Sequence, residues 1–100
     1  MLVNNKRIPF VRTNGHNLWI SVVARELLNN PDRVDVEIHS ESNCIAIHKN
    51  DDSGMFKVTR TRDKQCKIST SFLIKKSLSL QDNTRFTVQG GNGTIRFSFQ

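Results

Sequence analysis

The sequence predicts a mostly β domain with two short helices, built from two copies of one strand–helix–hairpin unit. Three observations support this. Apolar and polar residues alternate with period two in two separate hairpin patterns, a short helical pattern precedes each hairpin, and the two halves match element by element. With 100 residues, the chain is expected to form a single domain (1–100), with repeat units at about 6–50 and 54–99.

The first unit opens with an extended segment, Ile8 to Arg12, and a short apolar strand, Leu18 to Ile20. Ser21 follows the strand, and its hydroxyl can accept a hydrogen bond from a backbone N–H in the first turn of a helix. We therefore predict a capped helix from Val22 to Asn29, where an Asn-Asn-Pro-Asp run stops it.

The first hairpin pattern follows this helix and alternates with period two on both strands. A turn at 40–43 pairs Ile38 with Ile45 and Val36 with Ile47, so these four apolar side chains share one face. The opposite face then holds the pairs His39–Cys44, Glu37–Ala46 and Asp35–His48.

The second unit repeats the order of these elements. An extended segment, Phe56 to Thr61, precedes a short strand at Lys67-Ile68, a helix predicted over Phe72 to Leu80 and a second hairpin. A tight turn at Gly90–Gly93 is expected to pair opposing apolar residues of this hairpin. The predicted pairs are Val88 with Ile95 and Phe86 with Phe97. The two hairpins should share one core, formed by Val36, Ile38, Ile45, Ile47, Phe86, Val88, Ile95 and Phe97.

Corresponding residues of the two units lie at similar separations. Ile20 matches Ile68, 48 positions later, and Ile45 matches Ile95, 50 positions later. A unit of about 45 residues is too small to bury both its hairpin face and its helix face alone, so each copy needs a partner. We therefore expect internal pseudo-two-fold symmetry, with the second copy covering the first.

The charge of the chain is basic and unevenly distributed. The net charge is +6; residues 1–50 hold six Lys/Arg and five Asp/Glu, whereas residues 51–100 hold nine and four. The segment 57–76 alone has seven Lys/Arg and one acid. A positive field of this kind attracts polyanions, and an extended basic segment suits contacts to a nucleic-acid backbone. The alternative is an ordinary solvated face.

Other functional classes find little support in the sequence. No nucleophile–base pattern or phosphate-binding glycine loop occurs, so we expect no enzyme and no cofactor. His39, Cys44 and His48 share a hairpin face but lie too far apart along it for a metal site. Two cysteines, no signal peptide and no membrane span favour a cytoplasmic protein. Trp19 flanks the first helix and is interpreted as a core residue.

The order of elements resembles the swapped-hairpin family of AbrB- and SpoVT-type regulators. The resemblance rests on Asn14-Gly15, Leu18 to Ser21, Ala24 to Leu28, Arg33 to Val36 and Ile45 to Ile47. The Ile-Pro that is common before the helix in that family is Ile-Ser in both copies here. Two tandem copies in one chain resemble the arrangement of MraZ-type regulators. The resemblance implies an interleaved, β-barrel-like domain.

The resemblance also implies DNA binding through basic residues on the first strand, the turn and the start of the helix. In the first copy the matching residues are Arg12, His16 and Arg25. In the second copy they are Arg60, Arg62, Lys64, Lys67, Lys75 and Lys76. Lys57 of the basic segment is a further candidate for DNA contact.

The resulting hypothesis is a small basic DNA-binding regulator, of the kind that phages and plasmids encode. It would contact the phosphate backbone of duplex DNA mainly through its second repeat, as a monomer with a pseudo-dimer fold or as a homodimer. The alternative is a protein-binding inhibitor or adaptor of host machinery, such as an anti-defence protein, that does not bind DNA. Asp35 and Glu37 make the first hairpin acidic, whereas Arg85 and Arg96 make the second basic. This asymmetry is either a surface for such a protein partner or ordinary surface charge.

Overall fold

The computed structural model describes residues 8–14, 17–61, 66–69 and 82–99. The described part contains one α-helix, α1 (Val22–Leu27), and a single 3-10 turn at Ser40–Ser42. The strands are β1 (Phe10–Asn14), β2 (Asn17–Ile20), β3 (Arg33–His39), β4 (Cys44–Lys49), β5 (Phe56–Lys57), β6 (Thr59–Arg60), β7 (Cys66–Ser69), β8 (Arg85–Thr87), β9 (Gln89–Gly91) and β10 (Thr94–Ser98). No helix in these ranges has the length and apolar character needed to cross a membrane.

The strands form two five-stranded antiparallel sheets. Sheet I has the order β6-β7-β2-β1-β8, and sheet II has the order β5-β3-β4-β10-β9. The prediction of a mostly β fold is confirmed. The barrel-like closure is wrong, because the sheets are open. Val58 separates β5 from β6, and Val88 separates β8 from β9. The Val58 N–H donates to the Asp32 carbonyl and the Val88 N–H to the Pro9 carbonyl, and neither bond belongs to a strand pair.

Helix α1 begins at the predicted cap. The Ser21 hydroxyl accepts hydrogen bonds from the Ala24 N–H (3.2 Å) and the Phe10 N–H (3.0 Å), which ties the helix to β1. The helix ends at Leu27, earlier than predicted, because Asn29 and Asn30 adopt positive φ angles of 60° and 50°. The second predicted helix, 72–80, lies outside the described residues.

The first hairpin, β3–β4, has the predicted register. Ile38 lies opposite Ile45 and Val36 opposite Ile47. The three predicted pairs on the other face also occur: His39–Cys44, Glu37–Ala46 and Asp35–His48. Asn43, with φ 52°, closes the connection in the left-handed conformation that asparagine tolerates.

The second hairpin has a different register from the predicted one. Its turn is the two-residue Asn92-Gly93, with φ angles of 56° and 88°, and it pairs Gly90 with Ile95. The predicted cross-strand pairs Val88–Ile95 and Phe86–Phe97 are therefore wrong. Asn-Gly adopts the turn whose twist matches a two-residue hairpin, and this preference overrides the wider four-residue turn.

The space between the sheets holds the core. All eight predicted core residues lie in this cluster or pack against it. Phe86, in β8 of sheet I, contacts Phe97 of sheet II with ring centroids 5.3 Å apart. The buried cluster is Val11, Leu18, Ile20, Ala24, Leu28, Val34, Ile45, Ile47, Val58, Cys66, Ile68, Val88, Ile95 and Phe97.

Candidate nucleic-acid interface

The outer face of sheet I is the most distinctive surface of the described chain. Successive side chains of a strand point to opposite faces, so the neighbours of buried Val11, Leu18 and Ile68 point away from the core. We call this surface the basic face. Its residues are Phe10, Arg12, Asn14, Asn17, Trp19, Thr59, Lys67, Ser69, Arg85 and Thr87.

The strand register aligns the cations of the basic face in one row. Lys67 lies opposite Trp19, Trp19 opposite Arg12, and Arg12 opposite Arg85. Thr59 extends the row on the far side of Lys67. Neighbouring strands are about 4.8 Å apart, so the row crosses the sheet at right angles to its strands over about 19 Å.

No carboxylate balances these cations within the strands of sheet I. The five strands carry four Lys/Arg and no Asp or Glu. Arg12, Lys67 and Arg85 form no ion pair among the described residues. The contacts of two of them are with aromatic rings: the Lys67 Nζ lies 5.1 Å from the Trp19 ring centroid, and the Arg85 guanidinium carbon lies 3.9 Å from the Phe10 ring centroid.

Trp19 belongs to this face and not to the core, so its interpretation as a core residue is wrong. Its chain neighbours Leu18 and Ile20 are fully buried, whereas Trp19 is half-buried and is absent from the core cluster. The same alternation excludes Phe10 from the core. Two aromatic rings and three cations therefore share one surface.

Arg85 is not among the DNA-binding residues that the sequence predicts. It reaches the basic face through the pairing of β1 with β8, which are 73 positions apart at Arg12 and Arg85. The family resemblance carries no functional residue at that position. The only sequence signal was the alternation of Arg85 and Thr87 with apolar Phe86 and Val88, which places Arg85 outside the core.

The other predicted DNA-binding residues are distributed differently. Lys57 lies in sheet II, directly opposite Arg33. Arg60 lies in β6, the edge strand of sheet I, opposite Cys66, and its exposed guanidinium donates to the Asp32 carboxylate at 3.1 Å. Arg25 lies on α1, where its Nε is buried and has no hydrogen-bond partner in the described part of the chain. The remaining candidates, His16, Arg62, Lys64, Lys75 and Lys76, lie outside the described residues.

Cys66 lies in β7, directly beneath the basic face. Burial raises the pKa of its thiol to about 11, although the positive charges of Arg25 and Arg60 partly oppose this shift. The side chain is fully buried. At neutral pH it is a neutral, packed thiol and has no nucleophilic character.

The outer face of sheet II has a different chemistry. Asp35 accepts hydrogen bonds from the Asn50 side chain at 2.8 Å and the Met55 N–H at 3.0 Å, and these bonds lower its pKa. His48 contacts the Glu37 carboxylate and hydrogen-bonds the Thr94 hydroxyl at 3.1 Å. Each acid of this face therefore has a nearby partner.

No group of three or more His, Cys, Asp or Glu side chains within the described ranges is arranged to hold a metal ion. His39 and Cys44 form a cross-strand pair, whereas His48 is bonded to Glu37 and Thr94.

Comparison of the chain with protein-family models, with curated proteins and with solved structures gives no match.

Proposed function

We propose that this protein binds DNA through the phosphate backbone, using the basic face of sheet I. The observation that carries the proposal is the row of Lys67, Arg12 and Arg85 across a sheet whose five strands contain no acid. Phosphate contacts of this kind supply affinity without sequence information, so binding is expected to tolerate many sequences.

The direct opposition of Arg12 and Arg85 supports this proposal energetically. Like charges on opposing residues of neighbouring strands repel each other and destabilise the sheet. An anion between or above the two guanidinium groups relieves that repulsion and accepts hydrogen bonds from both. The pair is therefore more favourable in a complex with a polyanion than in the free protein.

We also infer that the chain is a fused pair of like units. In an antiparallel ladder, a two-fold axis places equivalent residues directly opposite each other. Trp19 faces Lys67 in β2–β7, and Ala46 faces Arg96 in β4–β10. These pairs are 48 and 50 positions apart, the same separations that align the two units in the sequence.

The remaining ladders support the same inference. The first strand of unit one, β1, pairs with β8 of unit two, while β3 of unit one pairs with β5, the first strand of unit two. Exchanging the units converts one pairing into the other. Such interleaving is what the resemblance to AbrB-type regulators implies, and it supports a small DNA-binding regulator as the biological class.

The proposal is tested by fluorescence anisotropy with a labelled 20-base-pair duplex of random sequence. Three phosphate contacts predict that affinity falls about 40-fold between 50 and 200 mM salt. The variant Arg12→Ala/Arg85→Ala should bind about 100-fold more weakly at 50 mM salt and should flatten the salt slope by about two.

A matched control removes the same charge from the other sheet. Lys57→Ala/Arg96→Ala changes one cation of β5 and one of β10, both on the outer face of sheet II. It should retain most of the affinity. An equal loss in both double variants would mean that net charge alone attracts DNA. Absence of binding by the parent protein at low salt would favour the protein-binding inhibitor or adaptor instead.

A further inference from the structure

Trp19 lies at the centre of the basic face, in the middle strand of sheet I. Arg12 is directly opposite it on one side and Lys67 on the other. The ring is outside the core cluster, and no residue of the adjacent strands carries a negative charge. An aromatic ring between two cations on an open sheet presents a stacking surface and two phosphate ligands together.

We propose that the basic face takes unpaired DNA, with one base stacked on Trp19 and the flanking phosphates held by Arg12 and Lys67. This inference rests on the proposed function and specifies its substrate. In a duplex the bases stack on each other, so a flat sheet reaches only phosphates. In a single strand the base faces are accessible, and stacking on aromatic side chains is their common mode of protein binding.

Lys67 covers the ring in the free protein, with its Nζ 5.1 Å from the centroid. An exposed cation–π contact of this kind is worth about two- to fivefold in an equilibrium constant, whereas stacking of a base is worth about 5- to 150-fold. A base therefore displaces the ammonium group from the ring. The displaced Lys67 becomes available to a phosphate, so stacking and charge neutralisation reinforce each other.

The neighbouring row of the sheet provides groups that suit base edges. Asn17 lies opposite Asn14 on one side and Ser69 on the other, and all three point to the basic face. Amide and hydroxyl groups donate and accept hydrogen bonds, and unpaired bases expose both donors and acceptors on their edges. The row is uncharged, so it complements bases, whereas the cationic row complements phosphates.

The protein contains a direct reporter of this contact. Trp19 is the only tryptophan and the chain has no tyrosine, so fluorescence excited at the red edge of the indole band reports on this one ring. The probes are a single-stranded oligothymidylate, an abasic deoxyribose-phosphate strand of equal length and a duplex of equal length. Titration with oligothymidylate should quench the emission and give an affinity about 5- to 150-fold higher than the abasic strand.

The variant Trp19→Leu should abolish the preference for oligothymidylate over the abasic strand. Trp19→Phe, which keeps an aromatic ring, should restore a large part of the difference. Circular dichroism and thermal melting verify that both variants fold. If Trp19→Leu does not fold, quenching of the parent protein by the three probes decides the question.

Two results would overturn the proposal, and they differ in meaning. If oligothymidylate and the abasic strand bind equally and neither quenches more than the other, stacking is absent, although backbone binding stands. If none of the three probes binds at low salt, the proposed function itself fails and the stacking inference fails with it.

Discussion

The outer faces of the two sheets differ in chemistry although both sheets cover the same core. In sheet II, Asp35 and Glu37 each have a partner, Asn50 and His48 respectively. In sheet I, the strands contain no acid, and Lys67 and Arg85 lie against aromatic rings. The polar groups of sheet II stabilise each other, whereas Arg12, Lys67 and Arg85 of the basic face remain available to an external anion.

This difference indicates that the position of the positive charge matters more than its amount. The chain has a net charge of +6, but several of its cations are bonded internally: Arg60 to Asp32, Arg33 to the Gly54 carbonyl, and Lys49 to the Asn29 carbonyl. Composition alone cannot distinguish these bonded cations from those on the basic face. The distinction arises only when strand pairing assigns each one to a face.

The largest expected effect on stability comes from comparing substitutions on the two faces of β2. Leu18 is fully buried, so Leu18→Ala should destabilise the protein by about 2–5 kcal/mol, measured by chemical denaturation. Trp19→Leu, one residue away but on the basic face, should cost about 1 kcal/mol or less. A reversed order of the two effects would mean that Trp19 holds the core and that the assignment of the faces is wrong.

A second test addresses the edge of sheet II. A Cβ added at Gly90 would lie 2.1 Å from the Thr94 carbonyl oxygen. The φ angle of Gly90 is 147°, which also disfavours any residue with a side chain. Gly90→Ala should therefore cost at least about 1–3 kcal/mol, whereas Gly91→Ala, where a Cβ meets no atom within 4 Å, should change stability by less than about 0.5 kcal/mol. Similar melting temperatures for the two variants would contradict the pairing of Gly90 with Ile95.

The smallest effect concerns the pH dependence of the sheet II face. Hydrogen bonds from Asn50 and Met55 lower the pKa of Asp35 below its usual 3.8, so the folded state favours the carboxylate. The resulting stability is present above pH 3.8 and is lost as pH falls through the lowered pKa. Asp35→Ala should lower the melting temperature at pH 7, and the difference from the parent should disappear towards pH 2.

The matched control for this prediction is Asp52→Ala, which removes an exposed carboxylate from the adjoining connection. Its melting temperature should differ little from the parent at both pH values. A difference between the Asp35→Ala variant and the parent that persists unchanged at pH 2 would show that the carboxylate charge does not contribute.

Much of the fold follows from local patterns in the sequence. The alternation of Val36 and Ile38 with polar residues, together with a short turn, predicts the β3–β4 register, and Ser21 predicts the start of α1. Both are short-range features for which the chain has few alternative conformations. The glycine-rich turn of the second hairpin allows several turn positions. The turn forms at Asn92-Gly93, which shifts the strand register by two residues from the predicted one.

The candidate site is less accessible from the sequence because it depends on long-range pairing. Arg12 and Lys67 were predicted individually from the family resemblance, but their alignment with Trp19 and Arg85 arises from ladders between distant segments. Arg60 was predicted to bind DNA, and only the fold brings it to Asp32, 28 positions earlier. Period-two alternation assigns a residue to one side of a strand, but it does not determine which strands become neighbours.

The central claim is that DNA contacts the outer face of sheet I, and amide chemical-shift mapping tests it most directly. Unlabelled DNA is titrated into ¹⁵N-labelled protein at low salt, and the single indole N–H signal of Trp19 is followed with the backbone amides. We expect the largest changes at that indole and within 10–14, 17–20, 66–69 and 85–87. Changes concentrated within 35–39, 44–48 and 94–98, with an unmoved indole signal, would contradict the account.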